Sequence, residues 1–233
     1  MMKLAIMQPY FVPYIGYFQL MAAVDRFVLF DDVSFINRGW INRNRILVGG
    51  REHMITMPLR GASQNQLINQ IALSDDNSWR SKLLKTIEQS YRKAPFYAET
   101  MPLVKDILSC PETMLAPYLR FSLAALNAWL ELPCQFVASS AQYENKDYKG
   151  AQRILDICRQ EQAGVYVNAP GGKDLYAPAD FAALGMQLRF LKPRLDEYAQ
   201  GGTTFMPGLS IIDVLMHQGR ATTRQALFAA ELE

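Results

Sequence analysis

The chain has 233 residues, of which 50% are hydrophobic and 20% charged, and its formal net charge is +2. That composition excludes a disordered, weakly hydrophobic polymer. The small net charge argues against a general nucleic-acid binder, which carries a strong basic stripe.

Lys3 to Met7 is a short apolar run ended by Gln8 and Pro9, and it reads as a buried first strand feeding a loop stiffened by Pro13. Gly16 then opens a helix on which Phe18, Met21 and Ala22 keep helical spacing. Asp25 breaks that stripe, so the helix stops near Val24 and a second strand runs from Arg26 to Phe30. After Asp31 and Asp32, Ile46 to Val48 and His53 to Leu59 flank Gly49-Gly50 as a hairpin. Helices follow at Ser78 to Lys93, Pro95 to Leu108 and Thr113 to Glu131, the last with Leu115, Leu119, Leu123, Leu126 and Leu130 on one stripe. Beyond Pro133 the order is strand Gln135 to Ala138, helix Lys149 to Gln162, strand Val165 to Asn168, helix Ala177 to Leu184 and strand Gln187 to Leu191. Two helices, Ile211 to Gln218 and Thr222 to Glu231, close the pattern. Strands alternating with helices imply an α/β fold: a mostly parallel, Rossmann-like sheet flanked by helices, with a hairpin and a helical insertion at about 77–132. The length suits one domain, 1–233, better than two.

Cys110, Cys134 and Cys158 are far apart and odd in number, which fits neither a disulfide framework nor paired metal ligands. The start MMKLAIMQPY lacks the features of a signal peptide, and no apolar run reaches a membrane span. A cytoplasmic protein is therefore expected, with no membrane span. His53 and His217 sit in unrelated contexts, so neither a metal site nor a Ser-His-Asp triad is expected. Exposed Leu and Met on helices could equally serve a homodimer interface.

Chemistry concentrates in a few segments. Gln8, Tyr10, Gly16 and Tyr17 surround a turn at a helix start, where free backbone N–H groups and the positive dipole end suit an anion. A proline-rich turn packed by aromatics is the alternative. Asp31 and Asp32 follow the second strand, where open α/β sheets place catalytic groups. Neighbours on an extended chain face opposite ways, so one of them faces a given pocket, where it would bind an amine or metal or act as a general base. Trp40, Asn42, Arg43 and Asn44 combine a stacking surface, two amides and a guanidinium, which suits a planar or phosphorylated group. With Arg38, Arg45 and Arg51 nearby, an anionic ligand and a solvated arginine face are equal readings. Gly171, Gly172, Lys173 and Tyr176 follow another strand, where glycines let the backbone approach a ligand closely. Ser210 and Asp213 read as a cap and first-turn acid of the next helix.

The stretches QPYFVPYIGYF, Asp31-Asp32, WINRNRI, YVNAPGGKDLY and SIIDVL, in that order, resemble the WbqC-like protein family along nearly the whole chain. The resemblance implies a part in bacterial surface-polysaccharide (O-antigen) biosynthesis, with transfer of glycine or a similar acyl group to an amino sugar. The first strand, loop and helix are also similar to the pantothenate synthetase and nucleotidyltransferase class, which forms adenylates from ATP. That class's pair of histidines is absent, and Tyr14 and Tyr17 stand nearby instead. The expected function is transfer of a small acyl or aminoacyl group to the amine of a nucleotide-linked amino sugar, the chain's small-molecule substrate. Asp31 or Asp32 would serve as base, and the donor would be an acyl thioester or an acid activated by ATP with Mg. A non-catalytic nucleotide-sugar-binding protein and an ATP-dependent adenylate-forming ligase are the alternatives.

Overall fold

The computed structural model describes residues 1–202 and 204–233. In chain order its elements are β1 (Lys3–Met7), α1 (Ile15–Ala22), β2 (Arg26–Leu29), β3 (Arg43–Val48), β4 (Arg51–Thr56), β5 (Leu59–Arg60) and β6 (Ala72–Leu73). Next come α2 (Ser78–Tyr91), α3 (Tyr97–Ser109), α4 (Leu115–Trp129), β7 (Gln135–Val137), α5 (Gly150–Gln160), β8 (Val165–Asn168), α6 (Pro178–Ala182), β9 (Gln187–Lys192), α7 (Ile211–Leu227) and β10 (Glu231–Leu232).

Six strands form one sheet in the order β7-β2-β1-β8-β9-β10. The first five are parallel, and β10 runs antiparallel on β9. Counted in chain order, the parallel strands stand 3-2-1-4-5, so the order reverses between β1 and β8. The α/β architecture expected from alternation is thus the one observed.

Period-two alternation decides what each face buries. Leu4, Ile6, Val28 and Tyr166 point to the face covered by α5 and α6, where Ile154, Ile157, Cys158 and Phe181 complete a cluster. Ala5, Phe27, Leu29 and Val167 point to the other face and join α1, α7 and the helical layer in a second, larger cluster. The leucine stripe of α4 is buried in that larger cluster at every one of its five positions. Arg80 of α2 fastens the layer, donating to the carbonyl of Leu108 (3.0 Å) in the last turn of α3, one a helix end leaves without a partner, and to those of Cys110 (2.6 Å) and Glu112 (3.1 Å) beyond it.

Three local features have physical causes, the first and last departing from the expectations. The hairpin starts earlier, at Arg43, because pairing from Arg43↔Thr56 to Val48↔Arg51 closes around Gly49 and Gly50, both at positive φ. Helix α7 runs on through Gly219, whose φ of 70° and ψ of 175° break the helical path at the gap expected between two helices. The chain beyond Leu227 is not helical to Glu231: Glu231 and Leu232 pair with Lys192 and Leu191 instead.

Candidate active site

Sheets of this strand order bind ligands outside the carboxyl ends of their strands. There a cleft of about 540 Å³ opens between the segment after β2 (Phe30, Asp32, Val33, Ser34), the entry to α5, and Leu175 and Tyr176 after β8. Its α5 side is basic. Lys146, Lys149 and Arg153 line it, and the helix entry carries no side-chain cap and no acid in its first turn. Gly150 holds φ at +53°, and a Cβ there would meet nothing within 4 Å, so the approach to the first turn is open. Uncapped N–H groups, the helix dipole and two exposed lysines together favour an anion. Tyr148, 49% exposed, and Leu175, 66% exposed, offer apolar surface at the rim.

Both aspartates are buried and both are held by the turn after β7. Ser139 Oγ donates to Asp31 Oδ1 at 2.6 Å, and Ser140 Oγ donates to Asp32 Oδ1. Beyond that their surroundings differ. Asp32 forms a buried ion pair with Arg153, whose Nε donates to Asn145 Oδ1 (2.9 Å) and whose guanidinium lies 5.0 Å from the Phe30 ring centre. Asp32 therefore fastens α5 to the end of β2. Asp31 has no such cation. Burial raises its pKa above the ordinary value of 3.8, the Ser139 hydroxyl opposes the rise, and the charge of Asp32 adds to it.

A second pocket of about 360 Å³ is lined by Tyr10, Pro13, Tyr14, Trp40, Asn44, Arg45 and Gly208. Arg45 lies 5.2 Å from the Trp40 ring centre and reaches Glu52 (3.0 Å) and the Gly208 carbonyl (3.2 Å). The loop beneath is clamped. Asn44 Nδ2 donates to the carbonyls of Phe11 (3.0 Å) and Val12 (2.8 Å), and Ser210 Oγ donates to Val12 O at 2.7 Å. Val12 is held at φ +38°, a left-handed conformation that a β-branched residue adopts at a cost and that gathers at functional sites.

Tyr10, Trp40 and Asn44 thus meet at the aromatic pocket, and Asp32 and Tyr176 at the basic cleft. Other candidates hold the frame. Asn42 donates to Met57 O (2.9 Å), and Arg43 binds the carbonyls of Gly39 (2.9 Å) and Arg38. Tyr17 donates to Gln8 O (3.0 Å), which ties α1 to the end of β1. Gly16 is buried under the Tyr14 ring, where a Cβ would stand 2.5 Å from Cε2, so its lack of a side chain serves that packing. Gly172 likewise makes room for Asn168 and Tyr176, whereas Gly171 faces open space. Lys173 pairs with Glu233 at the sheet edge.

The sequence reading passed over Ser139, Ser140, Lys146, Lys149, Gly150 and Arg153. Their signal is the run Lys146-Asp147-Tyr148-Lys149-Gly150 between a parallel strand and an amphipathic helix, which is ordinary loop composition until the sheet brings Asp32 to it. Among the described residues no three His, Cys, Asp or Glu side chains come together as metal ligands, and no helix is long and apolar enough to cross a membrane.

No solved structure matches the chain. The chain is 30% identical over 221 residues to the uncharacterized protein Rv1507c of Mycobacterium tuberculosis, covering 94% of this chain and 95% of that one. The profile of the WbqC-like protein family matches residues 8–225, which spans both pockets and four of the five parallel strands, β1 ending just before it. On that match, the chain belongs to the WbqC-like protein family.

Proposed function

We propose that this protein transfers a small acyl or aminoacyl group to the amine of a nucleotide-linked amino sugar, and that the substrate's phosphates bind on the α5 side of the cleft. The observation that carries the phosphate half is the pairing of Lys146 and Lys149 with an uncapped, glycine-led helix entry at the carboxyl edge of a parallel sheet. The acyl transfer, and its setting in surface-polysaccharide biosynthesis, rest on the family resemblance. Arg153 is committed to Asp32, which leaves the lysines for the ligand.

In the reaction the sugar nitrogen attacks the donor carbonyl, a C–N bond forms, and the bond from that carbonyl to its leaving group breaks. The proton lost by the amine passes through water in the open cleft to the leaving group. Asp32 lines the cleft but is held by Arg153 and Ser140, and Asp31 is not among the lining residues, so neither aspartate is given the proton.

A thermal-shift screen of UDP- and dTDP-linked amino sugars, ATP and acyl thioesters, each with and without Mg²⁺, tests the reading. A sugar nucleotide at about 100 times its Kd adds roughly 2.7 kcal/mol, a rise of about 5–10 °C for a chain this long. The rise should vanish in Lys149→Glu, and a rise that survives there removes the cleft from binding. A response to ATP alone points to an adenylate-forming ligase. Sugar-nucleotide binding with no product from any donor points to a binding protein.

A further inference from the structure

A third cavity, of about 120 Å³, lies between α1, α7 and the segment that joins β9 to α7. Ile15, Tyr198, Phe205, Leu209, Val214 and Ala226 make its wall mainly apolar. Thr223 also lines it and is fully buried, yet its Oγ1 has no hydrogen-bond partner among the described residues. The cause is local. A helical threonine ordinarily bonds the carbonyl four residues back, and for Thr223 that residue is Gly219, where the helical path of α7 breaks.

A buried hydroxyl without a partner is costly and calls for an explanation. Of the other polar groups of the wall, Tyr198 donates to Asp213 (2.7 Å) and Arg194 pairs with Asp196 (2.7 Å), while Glu197 and Thr222 are exposed and Gln218 is half-buried. The wall therefore offers an apolar surface with Thr223 as its buried unpartnered hydroxyl, the Glu197 carboxylate also on the lining, and a lining guanidinium already paired with Asp196. A dry cavity of 150 Å³ holds benzene, so this one suits a ligand of about six non-hydrogen atoms.

We propose that this cavity binds a short branched acyl group, presented as an uncharged amide or ester, with its carbonyl oxygen accepting from Thr223 Oγ1. A free carboxylate is disfavoured because the apolar wall would strip its water without supplying a cation. Gly208 borders both this cavity and the aromatic pocket, which gives the rest of such a molecule a direction to extend. The inference stands apart from the phosphate reading of the basic cleft.

Three probes of one shape, isobutyramide, isobutyrate and 2,3-dimethylbutane, separate the terms when titrated against methyl-labelled protein by NMR. Isobutyramide should shift the methyl signals of Ile15, Leu209 and Val214, with isobutyrate at least about tenfold weaker. Thr223→Val, which keeps shape and removes the hydroxyl, should weaken isobutyramide by about three- to tenfold and leave 2,3-dimethylbutane unchanged. Ala226→Leu, which fills the cavity, should abolish binding of both. Equal affinity for amide and carboxylate, an unaltered amide affinity in Thr223→Val, or no methyl shift at saturating amide would each overturn the proposal.

Discussion

Asp31 and Asp32 are adjacent, buried and each bonded to a serine, but the ion pair with Arg153 belongs to Asp32 alone of the two. Their Asn variants should therefore move stability in opposite directions. Asp32→Asn leaves the Arg153 charge buried without its partner and should cost about 3–5 kcal/mol, roughly 6–20 °C in Tm. Asp31 has a raised pKa, so the folded state holds its proton to higher pH than the unfolded chain does. Its contribution to stability is thus greatest below the ordinary 3.8 and is lost as pH rises through the raised value. Asp31→Asn should leave Tm at pH 7 unchanged or higher and flatten that slope, and, since Asp31 does not line the cleft, should leave turnover within a few-fold. Thermal melts from pH 4 to 8 beside a turnover assay check both halves, and a large loss of stability in Asp31→Asn would make it a structural residue.

Gly219 shows how one residue shapes an element. Its backbone stands in a region that side chains rarely adopt, and a Cβ would lie 2.5 Å from the Phe96 ring. Phe96 N–H also donates to Met216 O at 3.0 Å, so the entry to α3 is docked at the break in α7. Gly219→Ala should cost about 1–3 kcal/mol, read as a fall in denaturation midpoint with unchanged slope. The sequence divided α7 into two helices on either side of Gly219, and it revealed the parallel strands through short apolar runs bounded by turns. It did not reveal β5, β6 or β10, two-residue ladders whose partners lie far away in the chain, as in Leu59↔Leu73 and Leu232↔Leu191. Helix-forming residues near the end of α7 outweighed that pairing in a local reading. The site was legible in the same uneven way. Tyr10, Trp40 and Asn44 carry aromatic and amide chemistry in plain view, whereas Lys149 and Gly150 acquire meaning when the sheet brings the end of β2 beside them.

At the scale of the whole molecule, one cluster runs from the sheet face through α1 and α7 into α2, α3 and α4. The insertion should therefore unfold together with the sheet. Three free thiols report on it: Cys110 after α3, Cys134 before β7 and Cys158 in α5, all buried, with burial pushing Cys134 and Cys158 up to about 12. Native protein should leave all three unreactive to a disulfide reagent at pH 8. Across a denaturant titration they should become reactive in one transition, and earlier labelling of Cys110 would mark the helical layer as a separate unit.

The basic cleft is assembled from segments that follow β2, β7 and β8, while the two apolar clusters are drawn mostly from the strands and helices, with Ile154 common to cleft and cluster. Scaffold and selectivity are consequently written in different parts of the sequence. Descent can revise the exposed residues around the cleft, Lys146, Tyr148, Lys149 and Leu175, one loop at a time with little penalty to folding, while Asp32 and Arg153 stay fixed by their buried pair. Relatives sharing this sheet are free to have diverged in what they bind, and their histories should be read from those loops.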